Sequence, residues 1–427
     1  MMNNPSKEYR VMITTLGRSH FIQVAKSLAD VGVDVTLHQG WVVSAPRKSL
    51  LLRIVSRMIR RRSLIYGFEQ RLDKSLIGRN KGDFLSEALQ TLSYLVLRRL
   101  TKRAADISMK VGMWLHGRRG VAILKRGNYQ ILHVRSGFGA GGLIDYAKRN
   151  GIKVLVDHSA GSPNFVSEKI RGEKLNTKSY WWTVQQDCDK ADLLMCDCDW
   201  VKHTFEMYGY PSEKIRVVCM GLNGKFNGLK RWTEDILGLG TTPERPCRIV
   251  FTGAFAPHKG NEYFLQAVDK LIKSDRFFEF LVIGQASVSD DQKEKYKDAM
   301  SAIKFISHIP QNEMVARMLD SHIYLFPSLS EGCAKSAYEA MSMGLCVVVT
   351  KETGLPLIDG VNGALIESRS ADSIVQKVLT LLESPIKIRD MGLTGTDTMK
   401  KYTWEFYAKN VIGIYDELMG DLSGNAK

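Results

Sequence analysis

The sequence predicts an α/β protein made of two parallel-sheet domains. Three observations carry this reading. Short Val- and Ile-rich runs alternate with helical periodicity, once over residues 9–218 and again over 247–383. A polar stretch with Gly228, Gly238, Gly240, Pro243 and Pro246 separates the two runs. Several strands, such as 345–349, are continuous apolar runs of the kind buried on both faces of a parallel sheet. The predicted division is a first domain at 1–225, a linker at 226–246 and a second domain at 247–400. Residues 401–427 are a helix returning to the first domain, followed by a polar tail.

Residues 9–15 predict the first strand. The turn Leu16-Gly17-Arg18-Ser19-His20 leads to a helix at 21–31, which Gly32 closes, and a strand at 33–37. One glycine in the turn is not a GxGxxG, so a dinucleotide fingerprint is absent. Residues 47–126 then break the alternation. They hold 20 Lys and Arg against 5 Asp and Glu, of 60 and 45 in the chain, so the remainder is balanced. The whole formal charge of +15 therefore sits in a basic helical insert. Leu50, Leu51, Ile54, Val55, Met58 and Ile59 recur at helical spacing among Arg53, Arg57 and Arg60. A second helical stretch covers 84–114, with Arg98, Arg99, Lys102 and Arg103 near its middle. Basic amphipathic helices can lie on an anionic membrane surface. They can equally pack an apolar stripe on the domain core and leave the charge in solvent. The sequence leaves both open. Nucleic acid is not an expected partner, because no recognition motif or aromatic platform accompanies the charge.

The alternation resumes with a strand at 131–134 and a helix at 138–150, rich in glycine at its start. A strand at 152–156 ends in Asp157-His158-Ser159-Ala160-Gly161, a polar cluster where α/β sheets place ligands. Helices at 179–190 and 199–208 and strands at 192–195 and 215–218 complete the first run. The second opens with a strand at 248–251, the turn TGAFAPHKG and a helix at 261–273. Strands follow at 280–283, ending at Gly284, and at 323–326. A helix at 334–343 is stopped by Gly344 and followed by the strand at 345–349. A turn at 359–364 and helices at 371–383 and 404–419 close the chain.

The 427 residues are enough for two or three domains, and 44% hydrophobic with 25% charged residues reads as globular. Seven scattered cysteines, an odd number, fit reduced thiols rather than a disulfide framework. Cys196 and Cys198 have no partner pair at metal-ligand spacing. Asp290, Asp291, Asp197 and Asp199 read as solvated turn or helix-start acids, so no metal site is predicted. With no signal peptide and no apolar run long enough to span a bilayer, the expectation is a cytoplasmic protein.

The chemistry concentrates in 325–349, LFPSLSEGCAKSAYEAMSMGLCVVV. Gly332 allows close approach to the backbone. The amides near Cys333, Ala334, Lys335 and Ser336 open a helix, where free N–H groups and the helix dipole favour a phosphate. Glu331 and Glu339 add acceptor-only carboxylates on either side. A phosphate between two sets of hydroxyls describes a nucleotide sugar. A Glu pair at this spacing also occurs as ordinary helix charge, and alone it would not decide.

The motifs TGAFAPHKG, EGCAKSAYE, AMSMGLCVV and DGVNGALIE stand in the order and spacing of one family. The second half resembles family-4 glycosyltransferases of the GT-B fold, in which two Rossmann-like domains face across a cleft. TLGRSHF, DHSAG and PSEKIRVVCMGLN match more loosely in the first half. The resemblance implies that Lys259 meets the donor diphosphate, Glu331 the donor sugar or its departing phosphate end, and Glu339 the ribose. It implies that Gly17 lies where donor and acceptor approach, and His158 near the transferred sugar. The candidate catalytic residues are His158, Lys259 and Glu331. The donor-binding candidates add Gly17, Arg18, Gly253, His258 and Gly284 from the turns. The helix-opening stretch supplies Gly332, Cys333, Ala334, Lys335 and Glu339. One departure is Ala254, where the family often has an arginine. The implied activity is retaining hexosyl transfer from a nucleotide sugar, with no cofactor and no metal. The implied acceptor is a growing cell-surface glycan, including a lipid-linked one met at the inner face of the membrane through the insert. A non-catalytic nucleotide-sugar-binding or scaffold protein of the same fold is the alternative that Ala254 keeps open.

Overall fold

The computed structural model describes residues 9–16, 20–42, 73–93, 97, 100–230, 232, 234–307 and 309–420. Two sheets organise them. The first contains β1 (Arg10–Thr14), β2 (Asp34–Gly40), β3 (Asn80–Asp83), β4 (Ile131–Arg135), β5 (Lys153–His158), β6 (Leu193–Cys196) and β7 (Ile215–Val217). Its order is β3-β2-β1-β4-β5-β6-β7, with every ladder parallel. The second contains β8 (Cys247–Thr252), β9 (Phe278–Ile283), β10 (Ile303–Ile306), β11 (Ile323–Phe326), β12 (Cys346–Val349) and β13 (Ala364–Leu365). Its order is β10-β9-β8-β11-β12-β13, again parallel. In each sheet the winding reverses beside the first strand, between β1 and β4 and between β8 and β11. The crevice outside the carboxyl ends at such a reversal is where open α/β sheets bind ligands.

The local sequence explains most elements. The helix Phe21–Asp30 buries Phe21, Val24, Ala25 and Leu28 at helical spacing. β11 and β12 are buried at every position, as their unbroken apolar runs predict. Gly344 ends the intervening helix at φ 101°, a conformation that suits glycine. The helix expected at 138–150 begins only at Leu143, because Gly137, Gly141 and Gly142 form a turn at positive φ instead.

The insert differs more from expectation. Asn80–Asp83 is an edge strand, invisible in sequence because Asn-Lys-Gly-Asp has no apolar alternation. Among the described residues, the single helical stretch expected over 84–114 is interrupted at Thr101, which is extended, and shows the helices Phe84–Leu92 and Lys102–Leu124. Thr101 starts the second by accepting the Ala104 amide hydrogen on its Oγ1. A Cβ at Gly117 would collide with the Ala140 carbonyl, so this helix lies directly on the turn after β4. The amphipathic helix expected at residues 50–59 lies outside the described residues, as do Arg98 and Arg99.

A buried polar chain fastens the insert to the sheet. Asp83 caps the Phe84–Leu92 helix through the Ser86 amide at 3.2 Å, meets His116 Nδ1 at 3.0 Å and pairs with Arg119. His116 Nε2 lies 2.9 Å from Thr14 Oγ1 on β1, and that hydroxyl lies 3.2 Å from His38 Nδ1 on β2. The two imidazoles stack with centroids 3.9 Å apart. Burial alone would raise the Asp83 carboxyl, but hydrogen bonds from His116 and Ser86 hold it well below its usual range. Asp83→Ala would strand a buried imidazole and an arginine. We expect it to cost about 3–5 kcal/mol in denaturant unfolding, and Asp83→Asn distinctly less.

Residues between the sheets pack on the second domain: Phe226, Ile236 and Leu239 join its core. The helix Trp404–Leu418 crosses back, placing Tyr407, Val411, Ile414 and Tyr415 in a core with Phe21, Val35 and Ile131. Among the described residues, no helix is long and apolar enough to cross a membrane.

Candidate active site

The loops after β8 and β11 meet at the reversal point of the second sheet. Gly260, at φ 75°, touches the Pro327 carbonyl so closely that a Cβ would collide with it. The Leu329 amide donates to the His258 carbonyl at 3.0 Å. Ser328 Oγ lies 3.2 Å from the same carbonyl and 3.0 Å from Glu331 Oε1. These ties bring Lys259 onto Glu331 as an ion pair whose side chains are only 21% and 12% exposed. The ammonium also lies 5.7 Å from the centroid of the Phe326 ring. His258 is exposed beside it, while Gly253 and Ala254 line the exposed turn after β8. Gly253 sits at φ 121° and Gly284 at φ 143°, and a Cβ at Gly284 would strike the Gly253 carbonyl. Gly284 therefore serves the approach of one turn to the other, while Gly253 is required only by its positive φ, since a Cβ there would meet nothing within 4 Å.

The helix Lys335–Met343 starts over this pair. The Glu331 amide donates to the Glu352 carbonyl at 3.0 Å and the Ala334 amide to the Thr353 carbonyl at 3.3 Å. The turn after β12 thus occupies Ala334, one of the amides expected to face a phosphate. Lys335 and Ser336 remain at the helix mouth, and Cys333 is half-buried behind it. One turn further, the Glu339 side chain is 10% exposed, and the nearest cation is Lys335 Nζ at 3.8 Å. Burial raises the Glu339 carboxyl, with Lys335 and Lys225 pulling the other way. Glu339 is therefore not a solvated helix-surface charge. A buried carboxylate with so little local compensation suits hydroxyl donors from a ligand.

Gly332 departs from its expected use. A Cβ there would collide with the Ser159 carbonyl, and the Gly332 carbonyl accepts the Cys198 thiol at 2.9 Å. Its close approach is to the first domain rather than to a ligand. The DHSAG loop and the SEG loop thus form facing walls, with Gly161 against Ser330 as well. Gly332→Ala should force these walls apart, and we expect a lower melting temperature than for Gly413→Ala, where a Cβ meets nothing within 4 Å.

In the first domain, His158 is buried. Its Nδ1 lies 2.8 Å from Ser136 Oγ and its Nε2 3.1 Å from the Gly161 carbonyl. A neutral ring satisfies both, with Nε2–H donating to Gly161 and Nδ1 accepting from Ser136. Burial lowers its pKa to about 4. Both ring nitrogens are thus occupied in this structure, and a catalytic role for His158 requires one of these two bonds to give way to a substrate. Gly17 and Arg18 lie outside the described residues.

The sequence reading missed an adjoining cluster. His20, Asp157 and Asp197 bring ligand-type atoms within 4.8 Å of one another at the carboxyl ends of β1, β5 and β6. The Asp157 side chain is fully buried, with Oδ2 3.5 Å from His133 Nε2 and 4.0 Å from His20 Nε2, and neither oxygen is hydrogen-bonded. Asp197, expected to be solvated, is 2% exposed, and burial next to Asp157 pushes its carboxyl well up. Burial lowers His20 to about 4. Strand alternation puts Asp157 and His158 on opposite faces, a signal that could have separated them. These histidines fix an acid response. Their folded pKa values lie below the ordinary 6.5, so the unfolded chain binds more protons as pH falls. The melting temperature should fall as pH drops from 6.5 towards 4, and less steeply for His158→Gln.

Known proteins resemble this chain in sequence and in fold. Residues 246–384 match the family model described as glycosyl transferases group 1. An uncharacterized glycosyltransferase of Methanocaldococcus jannaschii is 29% identical over 172 residues, covering 40% of this chain and 48% of that protein. D-inositol 3-phosphate glycosyltransferase of Corynebacterium aurimucosum is 26% identical over 248 residues, covering 55% and 59%. The chain thus spans about half the length of these curated relatives. Sucrose-phosphate synthase from Thermosynechococcus elongatus superposes with TM-score 0.66 at 14% identity, over 97% of this chain and 100% of that one. A lipopolysaccharide outer core galactosyltransferase gives 0.62 at 13%, over 96% and 99%. An Anabaena protein solved with UDP-glucose gives 0.61 at 11%, over 96% and 99%. The architecture is the GT-B fold of glycosyltransferases.

Proposed function

We propose that this chain is a glycosyltransferase that moves a hexose-type sugar from a nucleotide donor to a growing cell-surface glycan, with retention of configuration. The observation that carries the reading is the Lys259–Glu331 pair at the mouth of a helix whose next turn holds the buried carboxylate of Glu339. A donor diphosphate over the helix mouth draws Lys259 away from Glu331. The freed Glu331 accepts hydrogen bonds from the sugar, and Glu339 accepts them from the ribose. As the glycosidic bond breaks, its electron pair goes to the diphosphate, the acceptor hydroxyl oxygen bonds the anomeric carbon from the same face, and the hydroxyl proton passes to the departing phosphate oxygen. The ammonium and the helix N-terminus stabilise that charge most as it develops. They supply the neutralisation that a metal ion gives elsewhere, so the reading needs no metal and no cofactor. The Anabaena complex with UDP-glucose makes a uridine nucleotide the first donor to try.

Ile107, Val111 and Trp114 are exposed on one face of the insert's long helix, with Arg103 and Arg118 at its ends. This mixed face supports peripheral contact with an anionic membrane and a lipid-linked acceptor. Flotation with anionic vesicles at low salt tests it, and failure to float removes the membrane reading.

The decisive experiment incubates the purified chain with UDP-, GDP- and ADP-sugars and a lipid-linked glycan extract. Acceptor-dependent release of nucleoside diphosphate is expected, and NMR of the product reads the anomer. Donor binding without release in any combination would favour the non-catalytic alternative, which the uncharged Ala254 supports.

A further inference from the structure

A second cavity lies on the domain seam, away from the Lys259–Glu331 pair. Its volume is about 640 Å³. One wall is Trp200, from the helix Asp199–Glu206 of the first domain. The other walls come from the second domain: the turn after β12, the segment after β13 and the helix Ala371–Glu383. The turn after β12 divides this cavity from the donor loop, since its Glu352 and Thr353 carbonyls hold the Glu331 and Ala334 amides.

Two anomalies lie beside this cavity. The Trp200 indole N–H is buried without an acceptor. Buried donors are normally paired, and an exception calls for a cause. Arg369 follows the lining residue Ser368 and is the sole non-glycine residue at positive φ, 61°, among those described. Its guanidinium donates to the Lys169 carbonyl of the first domain at 2.9 Å. Strained backbone of this kind gathers at ligand clamps.

The lining indicates the ligand class. Lys351 and Lys377 are matched by Glu352 and Glu367, so neither an anion nor a cation is favoured. Ser373, Gln376 and Thr380 add short donors and acceptors along one helix face. An indole wall facing a rim of hydroxyl, amide and balanced charged groups suits a ligand with a C–H face and many hydroxyls. We propose that this cavity is a subsite for a neutral oligosaccharide, with Trp200 as its stacking platform. The glycosyl-transfer reading underlies only the choice of a saccharide, consistent with a site beside the reaction cleft that holds more distant sugars of a glycan.

The test uses neutral trisaccharides of glucose, mannose and galactose, titrated into the millimolar range and followed by saturation-transfer NMR. At least one should show saturable transfer with the intact chain. Trp200→Ala removes the platform. Thr380→Trp fills the cavity from an exposed helix position and stands in if Trp200→Ala fails to fold. Each should weaken binding at least tenfold, while the UDP-induced rise in melting temperature stays as in the parent chain. No transfer from any trisaccharide, or undiminished transfer in both variants, would overturn the subsite. A missing UDP effect in the parent chain would count against the donor site instead, and leaves the trisaccharide measurement readable by itself.

Discussion

Lys259→Ala is expected to lower acceptor-dependent nucleoside diphosphate release about a hundred- to a thousand-fold. That is the usual cost of removing one charge-stabilising group from a transition state. The position of Lys259 sets this cost. Lys259 is held at the helix mouth by Glu331, and Ser328 braces Glu331 in turn. Exposed Ala254 offers no second cation, and burial lowers the pKa of neighbouring His258, so its imidazole is a poor replacement for the lost charge. Both partners keep some solvent contact, so the variant should fold with little change in melting temperature. Glu331→Gln keeps the shape and loses the charge, and it should also cut turnover. Full activity in both variants would sink the assignment of this pair.

Glu339→Gln is expected to act in opposite directions on binding and on stability. Hydrogen bonds to a charged acceptor are worth about 1.5–3 kcal/mol, so UDP affinity should fall by roughly ten- to a hundred-fold. The free protein should become more stable near neutral pH. Burial raises the Glu339 carboxyl above its unfolded value, so the folded state holds the proton more tightly. The stability from this group is present at low pH and is lost as pH rises through the raised pKa. Glutamine removes that loss. In the parent chain, UDP affinity should drop as pH falls through the same pKa, because the protonated acid is a poorer acceptor for ribose hydroxyls. Calorimetric titration of UDP and melting curves at several pH values check both halves. Unchanged UDP affinity in Glu339→Gln would remove the ribose role.

How much of this was legible depended on whether the information was local. β11, its loop, the helix, Gly344 and β12 could be read because apolar runs and a glycine stop are local signals. β3 could not, because an edge strand of Asn-Lys-Gly-Asp is defined by its backbone partner β2. Lys259 and Glu331 are 72 positions apart, and nothing local announces their pairing. Only the resemblance placed them in one site. Gly332 signalled close approach, but a glycine does not say to what, and the neighbour is Ser159. Asp157 and His158 looked like one polar cluster. Their opposite faces give them opposite fates, one satisfied and one left without hydrogen bonds.

The helix Trp404–Leu418 supplies part of the first domain's core, including Tyr415, whose hydroxyl lies 2.7 Å from His133 Nδ1. On the ribosome this sets an order. The second domain's core residues reach Met399, so it can close before the first is finished. The first domain must wait while some 180 further residues are made, roughly 10–40 s at ordinary synthesis rates. Throughout that interval the patch around Phe21, Val35 and Ile131 stays uncovered. The nascent chain is therefore exposed to chaperones and to aggregation at this patch until the helix Trp404–Leu418 is made and covers it.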